Sequence, residues 1–155
     1  YDLQLVEQPV AGWDFEGMAR VAKAIDAPVM ADESMFSPQM ALRLIKMEAA
    51  DIFNIKIMKP GGLYGSKKVA MIAEAANVPC VVGSMLEAGV GTIAGAHFAA
   101  SNRIVKYACD LIGPAYFKSD VIKQDVRPKN GVVDVPSGPG LGVDLDYDKL
   151  RTLRA

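Results

Sequence analysis

Cysteine, histidine and tryptophan are scarce in this chain, with two, one and one among 155 residues. Cys80 and Cys109 lie inside apolar, strand-like runs, where a buried reduced thiol is the expected state. That excludes a disulfide framework and makes a cytoplasmic location the expectation. Neither sign of charge dominates: 17 basic and 18 acidic side chains give a formal charge of −1. With no basic stripe and no charged tail, nucleic acid and anionic membrane surfaces are excluded as partners. Long apolar runs are missing too, since none approaches the roughly 20 residues that span a bilayer, and no signal-peptide pattern opens the chain. The glycines around Gly61-Gly62 make no dinucleotide fingerprint. Ser84 has no His and Asp patterned near it, which argues against a serine nucleophile. An initiating methionine is also lacking: the chain opens Tyr1-Asp2-Leu3 and is in a strand pattern by Leu3, as expected of a piece of a longer protein.

What is present is a repeat. The composition, 51% hydrophobic and 23% charged, is that of a globular chain able to build one core. Short apolar strands are expected at Leu3–Glu7, Val29–Ala31, Ile52–Ile57, Cys80–Val82 and Ile104–Ala108. Between them lie amphipathic helical patterns. Asp14 can cap a helix with the apolar stripe Phe15, Met18, Val21, Ala22, Ile25, and Asp26-Ala27-Pro28 stops it. Ser37-Pro38 supplies a cap and a proline at the first helical position, with Met40, Ala41, Leu44 and Ile45 facing inward. A third helix runs from about Tyr64 to Ala76, and an alanine-rich one from about Thr92 to Ala100. Strands alternating with helices call for a parallel sheet, and equal units favour a barrel over an open sheet. A closed eight-unit barrel takes about 250 residues, so these units form part of a (β/α)8 barrel. The expected division is a partial barrel over residues 1–114 and an irregular tail over 115–155. The tail is rich in Pro, Gly, Asn and Asp, with helical period only at Tyr147–Leu153.

Three polar side chains stand at strand ends at nearly one repeat: Glu7, Asp32 after 25 residues, and Lys56 after a further 24. In barrels of this kind, the loops following the strands form the active rim. Two carboxylates there suit a hard divalent cation such as Mg²⁺ or Mn²⁺, and the competing reading of each is a solvated strand end or helix cap. Lys56 sits between Ile55 and Ile57, where an ammonium is costly to bury unless it faces a polar cavity. A lysine beside a cation is a candidate general base.

The motifs Val6-Glu7-Gln8-Pro9, Ala31-Asp32-Glu33-Ser34 and Asn54-Ile55-Lys56-Ile57-Met58-Lys59-Pro60-Gly61-Gly62 resemble those of one family, as do Gly83-Ser84-Met85-Leu86-Glu87 and Leu111-Ile112-Gly113-Pro114. They are similar to the second half of the barrel in the enolase superfamily's muconate-lactonizing subgroup, and the resemblance reaches Pro139-Gly140-Leu141-Gly142-Val143. It implies a metal-dependent isomerase acting on a small carboxylate, with Glu7 and Asp32 as metal ligands, Lys56 as acid/base lysine and Asp110 as the acidic position of the last strand. It also implies two partners: the N-terminal part of the same protein, and further copies in a homo-oligomer. The family's first metal-ligating Asp and its Lys-x-Lys lysine have no counterpart in this sequence. Muconate cycloisomerases usually carry Glu where this chain has Asp110, and related dipeptide epimerases carry an Asp-x-Asp pair, whose second position is here Ile112. Lactonization of cis,cis-muconate or a relative is therefore the leading expectation. A racemase, epimerase or dehydratase of an amino or hydroxy acid is the alternative, and a non-catalytic half-barrel a third.

Four further side chains have two readings each. Lys59 either reaches a substrate carboxylate or is a solvated turn lysine. Ser84 and Glu87 either line the substrate side of the rim or are loop residues in water. Glu33 is within reach of Lys56 in sequence, but strand alternation turns it away from Asp32. His97, in the alanine-rich helix, is expected to pack rather than to ligate.

Overall fold

The alternation is realised as a parallel sheet backed by helices in the computed structural model, which describes residues 2–153. Strands β1 (Val6–Glu7), β2 (Val29–Ala31), β3 (Ile52–Ile55) and β4 (Cys80–Val82) lie side by side in chain order. Helices α1 (Phe15–Ala24), α2 (Pro38–Lys46) and α3 (Leu63–Ala75) connect them, and α4 (Gly89–Ser101) follows β4. Local chemistry sets the helix starts. The Asp14 carboxylate accepts from the Gly17 amide at 2.7 Å, and Ser37 Oγ accepts from the Met40 amide at 3.2 Å with Pro38 next to it. Gly61 (φ 86°) and Gly62 (φ 102°) turn the chain into α3 through backbone angles that a side chain would oppose.

Register fixes which residues share a face. Glu7 pairs with Met30, Met30 with Ile52, Phe53 with Cys80 and Asn54 with Val81. Val29, Ala31, Phe53, Ile55, Cys80 and Val82 therefore point one way, into the main core with Met18, Leu44, Val69 and Ala73 from the helices. On the opposite face Met30, Ile52 and Val81 form a second, smaller cluster with Leu5. Continuing two residues along each strand on that second face leads to Asp32, Asn54 and Gly83. Polar groups thus follow apolar ones at the C-terminal end of the sheet.

β1 covers Val6–Glu7 rather than Leu3–Glu7, and further boundaries differ from expectation. β3 ends at Ile55 rather than Ile57, because Lys56 already belongs to the next turn: its carbonyl accepts from the Lys59 amide at 2.9 Å, and Ile57 accepts from Gly62. The fifth strand is reduced to one parallel bridge between Val105 and Cys80. Pairing there breaks at the exposed Tyr107 and Ala108 and resumes where the Asp110 amide donates to the Val82 carbonyl at 2.9 Å. Helix α4 begins three residues before Thr92, and its first amide, Gly89, is taken by both carboxylate oxygens of Asp120.

Beyond a 3-10 turn at Gly113–Tyr116, only the short α5 (Tyr147–Thr152) is helical. Several tail residues pack on the sheet-and-helix body. Ile122 is buried, Val133 touches the main core, and the Leu141 carbonyl lies 3.1 Å from His97 Nε2 on α4. No helix among the described residues is long and apolar enough to cross a membrane.

Candidate active site

Asp32 follows β2 directly, and its carboxylate is gripped from both sides. Lys56 Nζ donates to Oδ2 at 2.6 Å, while Lys59 Nζ donates to Oδ1 and, at 2.8 Å, to the Asp32 carbonyl. The three side chains are 6%, 13% and 2% exposed for Asp32, Lys56 and Lys59 respectively. Burial by itself would raise the Asp32 pKa. The hydrogen bonds and charges of the two lysines outweigh it and hold the carboxyl below its usual range. Both lysines come from the single turn after β3, three residues apart. The early end of β3 is what lets Lys56 and Lys59 reach one carboxylate together.

Lys59 fits neither reading offered by the sequence, because its ammonium is buried on Asp32 and lies 4.7 Å from the centre of the Phe36 ring. Among the described residues Lys56 Nζ has one partner, Asp32, and its side chain keeps some exposure. Glu33 is exposed, in the turn that follows β2.

Glu7, at the end of β1, is exposed, and its Oε1 accepts from Asn54 Nδ2 at 2.9 Å. Asn54 is buried, and its own Oδ1 finds no hydrogen-bond partner. Gln8 ties the first two loops together. Its Oε1 accepts from the amides of Asp32 (2.9 Å) and Ser34 (3.1 Å), and its Nε2 donates to Ser34 Oγ (2.8 Å) and to the Val10 carbonyl (3.1 Å). Ser34 Oγ then donates to the Gly12 carbonyl at 2.9 Å. Asn54 and Gln8 were not singled out by sequence reasoning. The available signal was their strand-end position beside a candidate ligand, in Glu-Gln and Asn-x-Lys.

Ser84 and Glu87 are satisfied by each other, with Ser84 Oγ donating to Glu87 Oε2 at 2.5 Å and accepting from the Leu86 amide at 2.9 Å. Asp110 is exposed and joined to β4 by its backbone alone. His97 holds the tail and lies outside the rim cluster.

Glu7 and Asp32 offer carboxylate oxygen, the donor type that suits a hard cation. Glu7 Oε2 accepts no hydrogen bond among the described residues, and Asp32 Oδ2 is held only by Lys56. The described residues contain no group of three or more His, Cys, Asp or Glu placed to hold a metal. Among the described residues Glu7 and Asp32 are therefore two candidate carboxylates, short of a full octahedral set.

Comparison with known proteins accounts for the arrangement. Residues 1–149 match the family described as enolase C-terminal domain-like. The chain is 43% identical over 142 residues to the L-Ala-D/L-Glu epimerase of Bacillus subtilis, covering 91% of this chain and 38% of that protein. It is 41% identical over 150 residues to a muconate cycloisomerase of Acinetobacter lwoffii, covering 97% of this chain and 39% of that one. Among solved structures, the N-succinyl Arg/Lys racemase of Bacillus cereus superposes with a TM-score of 0.92 at 38% identity, covering 98% and 40% of the two chains. The muconate lactonizing enzyme of Pseudomonas putida also gives 0.92, at 35% identity, covering 97% and 42%. The chain thus spans about two fifths of the length of its relatives, which are isomerases and epimerases built on a parallel α/β barrel. On this evidence the chain belongs to the enolase C-terminal domain-like family and is similar to the C-terminal part of its muconate-lactonizing members.

Proposed function

We propose that the whole protein is a divalent-metal-dependent cycloisomerase that acts on cis,cis-muconate or a related dicarboxylate through a substrate enolate. The observation that carries this reading is the convergence of Asp32 and Lys56 at the rim, beside Glu7 on the adjacent strand. Glu7 and Asp32 would hold the cation. Bound there, Mg²⁺ or Mn²⁺ would supply Lewis-acid stabilisation of negative charge on the substrate carboxylate. Lys56 moves the proton at the carbon next to that carboxylate. Its single protein partner leaves it able to turn from Asp32 toward a substrate, whereas Lys59 is held in place by its burial. Asp110, exposed after the last strand bridge, is assigned to orienting the substrate. Ser84 and Glu87, paired with each other, shape the neighbouring loop.

Racemization or epimerization of an amino-acid derivative is the second reading, favoured by the similarity to an L-Ala-D/L-Glu epimerase and to an N-succinyl Arg/Lys racemase. Against a dipeptide ammonium stands Ile112, an apolar residue where a second acid would be needed. Both reactions share an enolate: epimerization forms it by loss of the α-proton, whereas lactonization forms it by adding the distal carboxylate oxygen across the conjugated double bond and ends with proton gain at the α-carbon. The test is a panel of muconates, dipeptides and N-succinyl amino acids offered to the full-length protein with Mn²⁺ in D₂O and followed by NMR. Lactone formation from a muconate is the expected outcome. Proton exchange at an amino-acid α-carbon without lactonization would transfer the assignment to the second reading, and turnover of no carboxylate would overturn both.

A further inference from the structure

Asn54 makes one hydrogen bond with its side-chain amide nitrogen, to Glu7 Oε1 at 2.9 Å across the strands, and among the described residues none with its side-chain carbonyl oxygen, although the residue is only 4% exposed. A buried carbonyl without a partner costs free energy, so its orientation needs a cause. The partner decides which way the amide faces. Turned over, Asn54 would aim Oδ1 at the Glu7 carboxylate, oxygen against oxygen, and lose its one bond. Oδ1 instead points at Gly83, at the end of β4, where a Cβ would lie 2.2 Å from it. Gly83 is therefore the residue whose lack of a side chain makes room for the Asn54 amide. The same glycine stays on the sheet through its amide, which donates to the Ile55 carbonyl at 3.2 Å.

We propose that Asn54, seated by Gly83, is a positioning residue for Glu7: it fixes one carboxylate oxygen and presents the other to the cation. This rests on the reading of Glu7 as a metal ligand. Among the described residues, the one side-chain hydrogen bond of the Glu7 carboxylate is to Asn54 Nδ2, so that contact is what restrains it. Asn54 sits in a four-residue strand paired on both sides, and is rigid by comparison. The hydrogen bond transfers that rigidity to the carboxylate. Partners of this kind, one shell outside a metal, typically change metal affinity about 10–100-fold when removed.

The test is Mn²⁺ binding by the full-length protein, followed by titration and by the EPR spectrum of the bound ion, with no substrate present. Asn54→Leu and Gly83→Ala should each weaken Mn²⁺ binding by about 10–100-fold, with spectra displaced toward that of Glu7→Ala. In the Glu7→Ala background, Asn54→Leu should add no further loss. Where Asn54→Leu fails to fold, Asn54→Ala, which introduces no bulk, reads the same quantity. Wild-type affinity in the folded Asn54 variants, or a loss that adds in full to that of Glu7→Ala, would overturn the proposal while leaving Glu7 a ligand. Wild-type affinity in Glu7→Ala itself would overturn the metal reading beneath it and the proposal together.

Discussion

Lys59 Nζ donates twice to Asp32, to the side-chain Oδ1 and to the backbone carbonyl, whereas Lys56 Nζ reaches the same residue only through Oδ2. The two lysines are not equivalent. Lys59 has a 2% exposed side chain and the Phe36 ring nearby, so it belongs to the folded framework. Lys56, at 13%, retains freedom to exchange one partner for another.

Stability should therefore depend on Lys59 more than on Lys56. Lys59→Met removes two hydrogen bonds, leaving Oδ1 buried without a donor and the Asp32 carbonyl with the Met35 amide as its remaining partner. That should cost about 1–3 kcal/mol, toward the upper end because one group is charged. Lys56→Met should cost less. Denaturant midpoints of the two full-length variants check this, and equal losses would contradict the division of roles.

Turnover should show the reverse order. Lys56→Ala should lower kcat by at least about 10²-fold, the contribution typical of a positioned acid/base, with little change in melting temperature. Full activity in that variant would remove Lys56 from the proton transfer and from any electrostatic role.

Much of this was legible in the sequence, because strand and helix periods differ and the caps are strong. Asp14 and Ser37-Pro38 begin α1 and α2 where expected, and β2 and β4 have the expected bounds. The misses arise where hydrogen bonding rather than periodicity decides. Ile55-Lys56-Ile57 alternates as a strand does, yet the Lys56 carbonyl closes a turn with Lys59. Ile104–Ala108 is apolar enough for a strand, but its ladder breaks at Tyr107 and Ala108. The grip of Lys59 on Asp32 was illegible for the same reason: it follows from the end of β3, not from spacing.

Gln8 offers a check on the rim that leaves the lysines and carboxylates intact. Its amide satisfies the backbone amides of Asp32 and Ser34, so Gln8→Leu leaves two donors unpaired near a buried site. The expected cost is about 2 kcal/mol in stability, with a lower Mn²⁺ affinity because Asp32 loses its backbone anchor. Unchanged stability and affinity would show that the loops are held by other contacts.

Cys80 supplies a pH prediction. Burial pushes its thiol up from 9.0 to about 12, so the folded state favours the protonated form. This contribution to stability is intact below the ordinary thiol value and declines as pH rises from about 9 toward 12. At pH 8 the native thiolate fraction is on the order of 10⁻⁴, and iodoacetamide should label Cys80 only after unfolding. Rapid labelling of Cys80 in the native protein would contradict its burial.

The 155-residue chain expressed by itself should associate and be inactive. β1 is an edge strand of only two residues, so its outer backbone groups are free to pair with another strand. Met58, Met85 and Leu86 are exposed apolar side chains on the loops beyond the strands. Its rim offers two carboxylates to a cation that prefers about six oxygens, and one candidate acid/base lysine. Light scattering should report aggregates or oligomers, Mn²⁺ titration weak binding, and a muconate assay no lactone. Supplying the remaining portion of the protein in trans should restore some activity if the barrel can assemble from two pieces. A monomeric chain that lactonizes muconate unaided would refute the expectation that the rest of the protein must supply a further ligand and lysine.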